Sequence, residues 1–337
     1  MKRYIHRLAD RRTTDRDGRI VRIGRDIDRW SRDLYERLMG VVASKNPLYR
    51  SATAVDMMLM GVLEDLAGIL GTGLGGMAEW GYTSAGMVLA RSVPPKVWAA
   101  RLSTPRPRAR HAMEGKLLEY AIDPHAILPN ASVVVSMEFG TPSAAFVRRA
   151  VRGGIGGVDA MSRIKTVAAP DLFRLRRAIT LSMSGTGLDD DASAVASLSK
   201  EIRQLVGNDP GKSTGMNYRA KRIARTEGIR IAEESQRAAW AESKDMFDGM
   251  WTERGGHKPC EICEPFDHIL YRDDGTGQYV NDAGELLPMF PAHPNCLCYT
   301  VPELKADLTA GLPDANYGDW YDQSRQRAAG ELAAVGR

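Results

Sequence analysis

The arrangement of apolar and polar residues along most of the chain is typical of α-helices. Apolar side chains recur every three to four positions, for example at Ile23, Ile27, Trp30 and Leu34. This spacing places them on one face of a helix, and polar residues fill the other face. The helices predicted from this spacing lie at residues 20–45, 54–70, 143–182, 192–206 and 215–245.

A glycine-rich run follows the second predicted helix. Gly71, Gly73 and Gly76 match the sequence of a dinucleotide-binding loop, but that loop requires a strand before it, and here a helical segment precedes it. We therefore expect a flexible joint between two helices. Residues 207–213 similarly approach a phosphate-binding loop but have one residue too few between their glycines, so we expect a turn there.

Beyond residue 245 the pattern changes from helical to extended. Residues 246–252 can form a strand, and residues 278–280 and 285–287 can form a hairpin around the turn at 281–284. A short strand is also predicted at 133–135. The predicted fold is a mainly α N-terminal region, a small α+β C-terminal module and an extended tail. The predicted boundaries are residues 1–190 and 191–245 for the helical parts, 246–305 for the module and 306–337 for the tail.

Composition narrows the class of protein. The 337 residues are 43% hydrophobic, with a net charge of only +4, so the chain is expected to fold rather than remain disordered. The first residues lack an apolar core, which predicts no secretory signal and a reducing compartment. The most apolar stretch, residues 54–90, contains four acidic residues, so we expect it not to span a membrane.

Charge is distributed unevenly along the chain. Residues 1–240 carry a net charge of +13 and residues 241–337 a net charge of −9, which predicts a domain boundary near residues 240–250. The stretch from Arg91 to Lys116 has seven basic residues and one acidic residue. Contact with DNA phosphates or with an acidic protein partner is one interpretation, and a solvated surface is the other. The candidate phosphate-binding residues are Arg101, Arg106, Arg108 and Arg110.

One acidic residue interrupts the apolar face of the last long helix. Glu227 lies four residues after Ile223 and four before Ile231, so its carboxylate points to the buried side. A buried carboxylate requires a partner. We predict a structural ion pair between Glu227 and Arg225 or another arginine; a catalytic carboxylate is the alternative.

All four cysteines fall in the C-terminal module. The C-x-x-C spacing of Cys260 and Cys263 places two thiolates where both can reach one metal, and His293 and Cys296 repeat that spacing. With Cys298, five candidate ligands exist for one tetrahedral zinc, which favours a closed structural site. A metal would also stabilise a module whose core is thin. Disulfides and free or redox-active thiols are the alternatives.

One short motif in the same module bears on an enzymatic function. Residues 267–269 (Asp-His-Ile) resemble the start of an HNH nuclease motif, but the rest of that motif does not follow. We therefore predict no catalytic residue, and a zinc-dependent nuclease or other hydrolase acting on nucleic acid is the alternative function. A zinc-ribbon DNA-binding regulator is disfavoured because the module is acidic and would repel phosphate.

The order of these motifs resembles a known family. A helix with Ala-Arg-Thr-Glu at 224–227 is followed by a strand with Trp251, the cysteine pair at 260–263, a hairpin, and Pro-Ala-His-Pro-Asn-Cys-Leu-Cys at 291–298. Over residues 190–305 this resembles the phage head morphogenesis family typified by the phage Mu F minor head protein. Gly228 lies inside this helix, although glycine has a low helix propensity.

The resemblance implies a structural minor capsid protein of a tailed bacteriophage. Such a protein joins the portal vertex during head assembly in the host cytoplasm and becomes part of the virion. The implied partners are the portal protein, packaged DNA held through phosphate contacts, and major capsid or scaffold protein, with no membrane. No catalysis is implied; the cysteines would hold the module closed, and residues 224–227 would order the helix against it.

The tail contains three aromatic residues in a polar setting, at Tyr317, Trp320 and Tyr321. Aromatic side chains commonly anchor protein interfaces. Two interpretations remain open: a docking segment that orders on a partner, or a segment that packs back onto the zinc module.

Overall fold

The computed structural model describes most of the chain. The described residues are 2–44, 52–103, 131–153, 158–184, 192–207, 214–241, 243–254, 261–276, 278–288, 290–293, 296–313, 316–317, 319–320 and 323. Several predictions concern other residues and lie outside this set: Cys260, the turn at 208–213, Tyr321, and the arginines at 106, 108 and 110.

The described chain is mainly helical, with a small antiparallel sheet in its C-terminal region, as the sequence predicted. The helices are α1 (Lys2–Ala43), α2 (Ala52–Ser92), α3 (Pro95–Ser103), α4 (Ala131–Val134), α5 (Ala144–Arg152), α6 (Ala160–Ser184), α7 (Ala192–Val206), α8 (Gly215–Ala241) and α9 (Ala306–Thr309). The strands are β1 (Phe247–Glu253), β2 (Ile269–Asp273), β3 (Tyr279–Val280) and β4 (Tyr299–Leu304).

The chain divides into two compact units, neither of which is continuous in sequence. Unit 1 comprises Met1–Arg16, Met77–Val147 and Ile229–Arg337, and unit 2 comprises Asp17–Gly76 and Arg148–Gly228. The consecutive regions predicted from the sequence do not coincide with these units. The reason is that α1, α2 and α8 each contribute residues to both.

In unit 2, α1 and α2 pack through their apolar faces. The indole of Trp30 on α1 donates a hydrogen bond to the carbonyl of Val62 on α2 at 3.2 Å. The predicted apolar face of α1 is confirmed, since each of its members in this unit is buried: Ile20, Ile23, Ile27, Trp30, Leu34 and Leu38.

The predicted joint at the glycine run is wrong, because α2 continues as one helix to Ser92. A Cβ atom at Gly73 would lie 2.8 Å from Cγ1 of Ile23, so the glycine allows α1 to approach α2 closely. The packing gained there compensates for the low helix propensity of glycine.

By length and composition alone, one helix in the described ranges could cross a membrane, at Thr53–Ser92. Its mean hydropathy reaches 1.4 over 18 residues, and core helices of many soluble proteins satisfy the same criterion. Two of its acidic residues form ion pairs within unit 2: Asp56 with Arg176 at 2.8 Å, and Asp65 with Arg37 at 3.4 Å.

In unit 1, the sheet has the strand order β3–β2–β1–β4, and every pairing is antiparallel. The predicted strand at 246–252 is confirmed as β1, and the predicted hairpin as β3 with a bridge between Val280 and Leu286. The sheet packs on α8, where the rings of Trp240 and Phe247 lie 6.3 Å apart. Gly249 of β1 lies so close to β2 that a Cβ atom would be 2.5 Å from the carbonyl oxygen of Tyr271.

The predicted strand at 133–135 is wrong. Residues 131–134 form α4, which continues into a π-helical turn at Val135–Phe139. Phe139 is buried against Trp98, with ring centroids 6.1 Å apart, and its carbonyl accepts a hydrogen bond from the hydroxyl of Tyr82 at 2.9 Å. These tertiary contacts outweigh the preference of a valine run for extended structure.

The described aromatic residues of the tail pack inside unit 1. Tyr317 is fully buried, its ring lies 5.2 Å from that of Tyr4, and its hydroxyl donates a hydrogen bond to the carbonyl of Ser92 at 2.8 Å. The ring of Trp320 lies 5.3 Å from that of Tyr317. Tyr317 is therefore not exposed for docking. It contacts Tyr4 of α1 and Ser92 of α2, whereas the packing interpretation expected contacts with the cysteine module.

Candidate metal centre

The pairing of β1 with β4 brings the cysteine-containing loops to one end of the sheet. Glu253, the last residue of β1, pairs with Tyr299, the first residue of β4. Cys298 immediately precedes β4, and Cys263 lies in the turn that follows β1 and leads into a short 3₁₀ helix at Glu264–Phe266. Antiparallel pairing therefore juxtaposes residues that are more than thirty positions apart in sequence.

The structure brings three of the five predicted ligands into one cluster, and it places His293 beside one of them, Cys263. The Sγ atom of Cys263 lies 3.8 Å from that of Cys296 and 3.0 Å from Nε2 of His293. The sulfur atoms of Cys263, Cys296 and Cys298 all lie within 4.8 Å of one another. The three cysteines are at most 2% exposed. Cys260 lies outside the described residues.

The three sulfur atoms fit the geometry of a tetrahedral metal site. Two thiolates bound to one zinc through bonds of about 2.3 Å are separated by about 3.8 Å, which matches the distance between Cys263 and Cys296. No disulfide joins the three described cysteines, and a sulfur separation of 3.8 Å is far longer than a disulfide bond. The alternative of disulfides is therefore not supported for Cys263, Cys296 and Cys298.

The protonation of the thiols also favours a cation. A hydrogen bond from Cys298 lowers the pKa of Cys296 to about 5. The same bond, together with burial, raises the pKa of Cys298. The cluster therefore favours one thiolate and disfavours a second, because like charges in a buried site repel each other. A bound cation would remove that repulsion and allow all three sulfur atoms to be thiolates.

Aromatic rings cover the cluster. Phe290 is buried beside the cysteines, and its ring centroid lies 6.3 Å from that of Phe266. This apolar cover excludes water from the sulfur atoms, which suits a structural metal site better than a catalytic one, because a catalytic metal needs an open position.

A buried arginine anchors the loop that carries Cys296 and Cys298. Arg16 of α1 is 0% exposed and donates hydrogen bonds to the carbonyls of Leu297 at 3.1 Å and Cys298 at 3.4 Å. Its guanidinium also lies 3.5 Å from the carboxylate of Glu233 on α8. Arg16 therefore connects the cysteine loop to two helices.

Glu233 is the centre of a buried polar network that sequence analysis did not identify. Its carboxylate accepts hydrogen bonds from the backbone amide and the hydroxyl of Thr300 on β4, at 3.3 and 3.0 Å. Arg12 lies 3.8 Å away, and burial lowers the pKa of its guanidinium to about 10. The amide of Gln236 donates to the Thr300 hydroxyl at 2.7 Å. In the sequence, the only sign of this network is the position of Glu233 on a buried helix face, four residues before Arg237.

The burial predicted for Glu227 is confirmed, and its partner is another arginine instead of Arg225. Glu227 is 0% exposed, and its carboxylate lies 3.1 Å from the guanidinium of Arg163 on α6. Arg225 does not pair with it, because residues two positions apart on a helix point to different sides. Glu227 lies in unit 2, so it is not the glutamate of α8 that contacts β4 beside the cysteines. That residue is Glu233.

Arg101 does not lie where a phosphate contact requires it. It is 8% exposed, and its guanidinium lies 2.5 Å from carboxylate oxygens of both Glu138 and Asp245. Arg101 therefore forms a buried ion pair and is not positioned to contact DNA phosphates, as the sequence had predicted it would be. The other three candidate arginines lie outside the described residues.

Comparisons with known proteins add no family to these observations. No protein-family model, curated protein or solved structure matches the chain. The resemblance seen in residues 190–305 therefore stays a prediction that depends on the motifs themselves.

Proposed function

We propose that the protein is a structural minor head protein of a tailed bacteriophage, incorporated near the portal vertex, with one structural zinc in its C-terminal module. The observation that carries the proposal is the convergence of Cys263, Cys296 and Cys298 at one end of the sheet, with His293 beside Cys263. These residues belong to the motifs on which the family resemblance depends, and a shared metal explains why the motifs occur together.

The ligands of the proposed zinc come from two loops. Cys296 and Cys298 precede β4, Cys263 follows β1, and the imidazole of His293 lies beside Cys263. Cys260, the residue immediately before the described turn, is the alternative to His293 as the fourth ligand. Zinc would supply a crosslink between the loops, and its binding energy would contribute to folding of the module.

The burial of the sulfur atoms supports a structural role over an enzymatic one. A zinc-dependent nuclease or hydrolase needs a metal position that water and substrate can reach. The described cysteines are at most 2% exposed, and Phe290 packs against them. The metal is therefore proposed to stabilise the module, and the protein is proposed to act by binding the portal and other head proteins.

The charge distribution supports a DNA contact outside the C-terminal module. Residues 241–337 carry a net charge of −9, so the module itself would repel phosphate. The proposed contact is limited to Arg106, Arg108 and Arg110, which lie in the most basic stretch of the sequence.

The metal is tested by measuring zinc per chain in purified full-length protein and in the variant Cys296→Ser. We expect one thiolate-bound zinc in the original protein, and loss of that zinc with a lower melting temperature in the variant. Ile262→Ser is the matched control, because Ile262 is 57% exposed in the same turn and offers no ligand. Equal zinc content in all three proteins would reject these ligands.

The role in the virion requires a separate test. Heads purified from a phage that carries this gene should contain the protein in few copies, and a nonsense mutation should leave fewer complete heads. Absence of the protein from purified heads would reject the proposal. Hydrolysis of DNA or RNA by zinc-loaded protein, abolished by Cys296→Ser, would favour the enzymatic alternative.

A further inference from the structure

We propose that the protein has a second, solvent-accessible site for a divalent transition-metal ion, formed by Glu253, Asp267 and His268, with His6 beside Glu253. The carboxylate of Glu253 lies between two imidazoles: its Oε2 atom is 2.7 Å from Nδ1 of His268, and its Oε1 atom is 3.3 Å from Nδ1 of His6. One ligand atom each from Glu253, Asp267 and His268 lies within 4.8 Å of the others.

These residues come from three separate segments of unit 1. Glu253 is the last residue of β1, Asp267 and His268 lie in the turn before β2, and His6 lies in the first turns of α1. None of them belongs to the cysteine cluster. The site therefore has its own donor set, and its occupancy can be measured independently of the thiolates.

The state of Glu253 is the observation that points to a ligand. The residue is 5% exposed, and its Oε1 atom is buried without a hydrogen-bond partner. The nearby Nδ1 atom of His6 is within ion-pair distance but does not satisfy hydrogen-bond geometry. A buried, unsatisfied carboxylate oxygen is costly and rare in folded proteins. A cation between Glu253 and the imidazoles would supply the missing partner.

The backbone at His268 agrees with a binding role. Its φ angle is +57°, in the left-handed region that residues other than glycine seldom adopt. Such conformations occur often at ligand-binding positions, where the surrounding structure enforces them. The side chain of His268 is 74% exposed, so a metal ion can reach the site from solvent.

Arg254 holds the side chain of Asp267 in place. Its Oδ1 atom accepts a hydrogen bond from the backbone amide of Arg254 at 2.9 Å, and its Oδ2 atom lies 3.4 Å from the guanidinium of Arg254. A carboxylate has about four lone-pair positions, so these contacts leave capacity for a metal. Hydrogen bonds of this kind commonly orient metal-binding carboxylates.

The donor types define the class of ion. An imidazole with two carboxylates, and a second imidazole beside one of them, suits zinc, cobalt, manganese or iron in the divalent state. Calcium and magnesium prefer sites made entirely of oxygen ligands. The proposed ion would also connect the start of α1 to the end of β1, because His6 and Glu253 lie on those two elements.

The test uses full-length protein loaded with Co²⁺, because cobalt reports its ligands through its absorption spectrum. Metal per chain is measured after dialysis in the original protein and in His268→Asn, which retains a side chain that tolerates positive φ. We expect the original protein to bind one Co²⁺ that gives no sulfur-to-cobalt charge-transfer band. In His268→Asn its affinity should fall by at least about tenfold, the lower end of the effect of losing even a supporting residue.

Two further variants separate this site from the cysteine cluster. Cys296→Ser should retain the sulfur-free cobalt, and Asp282→Asn, whose side chain is 99% exposed, should bind metal as the original protein does. Equal affinity of the original protein and His268→Asn for Co²⁺ would overturn the proposal. So would a spectrum in which every bound cobalt shows the charge-transfer band. In either case His6, Glu253 and His268 would form only an ion-pair cluster.

Discussion

The guanidinium of Arg16 lies 3.5 Å from the carboxylate of Glu233, and both side chains are almost completely buried. Arg16 also donates hydrogen bonds to the carbonyls of Leu297 and Cys298, while Glu233 accepts from Thr300. The pair therefore connects α1, α8 and the strand that follows the cysteines. Loss of Arg16 would remove one of the two guanidinium groups that lie near the buried carboxylate of Glu233, together with the hydrogen bonds to the cysteine loop.

We predict that Arg16→Met destabilises the protein by about 3–5 kcal/mol, the usual cost of breaking a buried ion pair from one side. The free energy of unfolding in urea measures the effect. Arg11→Met is the matched control, because Arg11 is exposed on the same helix, and it should change stability by less than about 0.5 kcal/mol. Equal effects of the two substitutions would mean that the buried pair contributes nothing particular.

Gly73 and Gly76 provide a test of the close approach between α1 and α2. A Cβ atom at Gly73 would lie 2.8 Å from Ile23, whereas one at Gly76 would meet nothing within 4 Å. We expect Gly73→Ala to destabilise the protein by about 1–3 kcal/mol through overpacking. Gly76→Ala should stabilise it by about 0.5–1 kcal/mol through helix propensity. Thermal unfolding distinguishes the two signs.

A second substitution identifies the cause of the Gly73 effect. Ile23→Val shortens the side chain that the new methyl group would meet, so it should recover part of the stability lost in Gly73→Ala. If Gly73→Ala is as stable as Gly76→Ala, α1 and α2 are not in close contact at this position.

Asp28 is expected to make stability depend on pH. Burial raises the pKa of Asp28, but hydrogen bonds from Lys221 and Asn217 outweigh it, so the pKa is lowered overall. A lowered folded-state pKa adds stability above the unfolded value of about 3.9, and that stability is lost as the pH falls through the folded value. The side chain is 38% exposed, so solvent screening limits the contribution to about 1 kcal/mol or less.

The measurement is urea unfolding of the original protein and Asp28→Asn between about pH 7 and pH 3. The difference in unfolding free energy should be largest near neutral pH and should shrink on acidification. Asp26→Asn serves as the control, because Asp26 is 50% exposed and its ion pair is with Arg29, one turn away on the same helix. A difference that stays constant with pH would show that the Asp28 carboxylate is not stabilised in the folded state.

The tail should contribute to folding through Tyr317. Replacement of this fully buried residue by alanine should cost about 3–5 kcal/mol, as for other large aromatic residues. Tyr317→Phe should cost only about 1 kcal/mol, through loss of the hydrogen bond to Ser92. Denaturant unfolding of both variants tests this order. An alanine variant with unchanged stability but poor incorporation into heads would restore the docking interpretation.

Local patterns in the sequence predicted the elements that local contacts determine. The three- to four-residue spacing of Ile23, Ile27 and Trp30 correctly predicted the buried face of α1, and the turn residues at 281–284 correctly predicted the hairpin. The spacing of the cysteines and the histidine predicted which residues converge. Cys263 and Cys296 lie on two separate loops, and the antiparallel pairing of β1 with β4 brings those loops together.

Contacts between residues distant in sequence could not be predicted in the same way. Arg16 and Cys298 are separated by 282 positions, and nothing near Arg16 distinguishes it from the exposed arginines of α1. The glycines at 71–76 favoured a joint because glycine has low helix propensity, yet contact with Ile23 determines the structure there. Pairing of Glu227 with Arg163 likewise depends on packing of α6 against α8.

The arginines of the basic stretch provide the last prediction, which concerns DNA. If Arg106, Arg108 and Arg110 contact phosphates, replacing all three by alanine should lower affinity for DNA of any sequence. The slope of log affinity against log salt should fall by up to about 3, since each phosphate contact contributes about 0.9. Fluorescence anisotropy with duplex DNA at several salt concentrations measures that slope.

The control for this experiment must remove the same charge elsewhere. Arg148, Arg149 and Arg152 of α5 are exposed, so their triple replacement by alanine lowers the net charge equally and should leave the salt slope nearly unchanged. Arg101→Ala should instead reduce stability, because Glu138 would remain buried without that partner. Equal slopes for the two triple variants would mean that total charge, and not the proline-spaced arginines, attracts DNA.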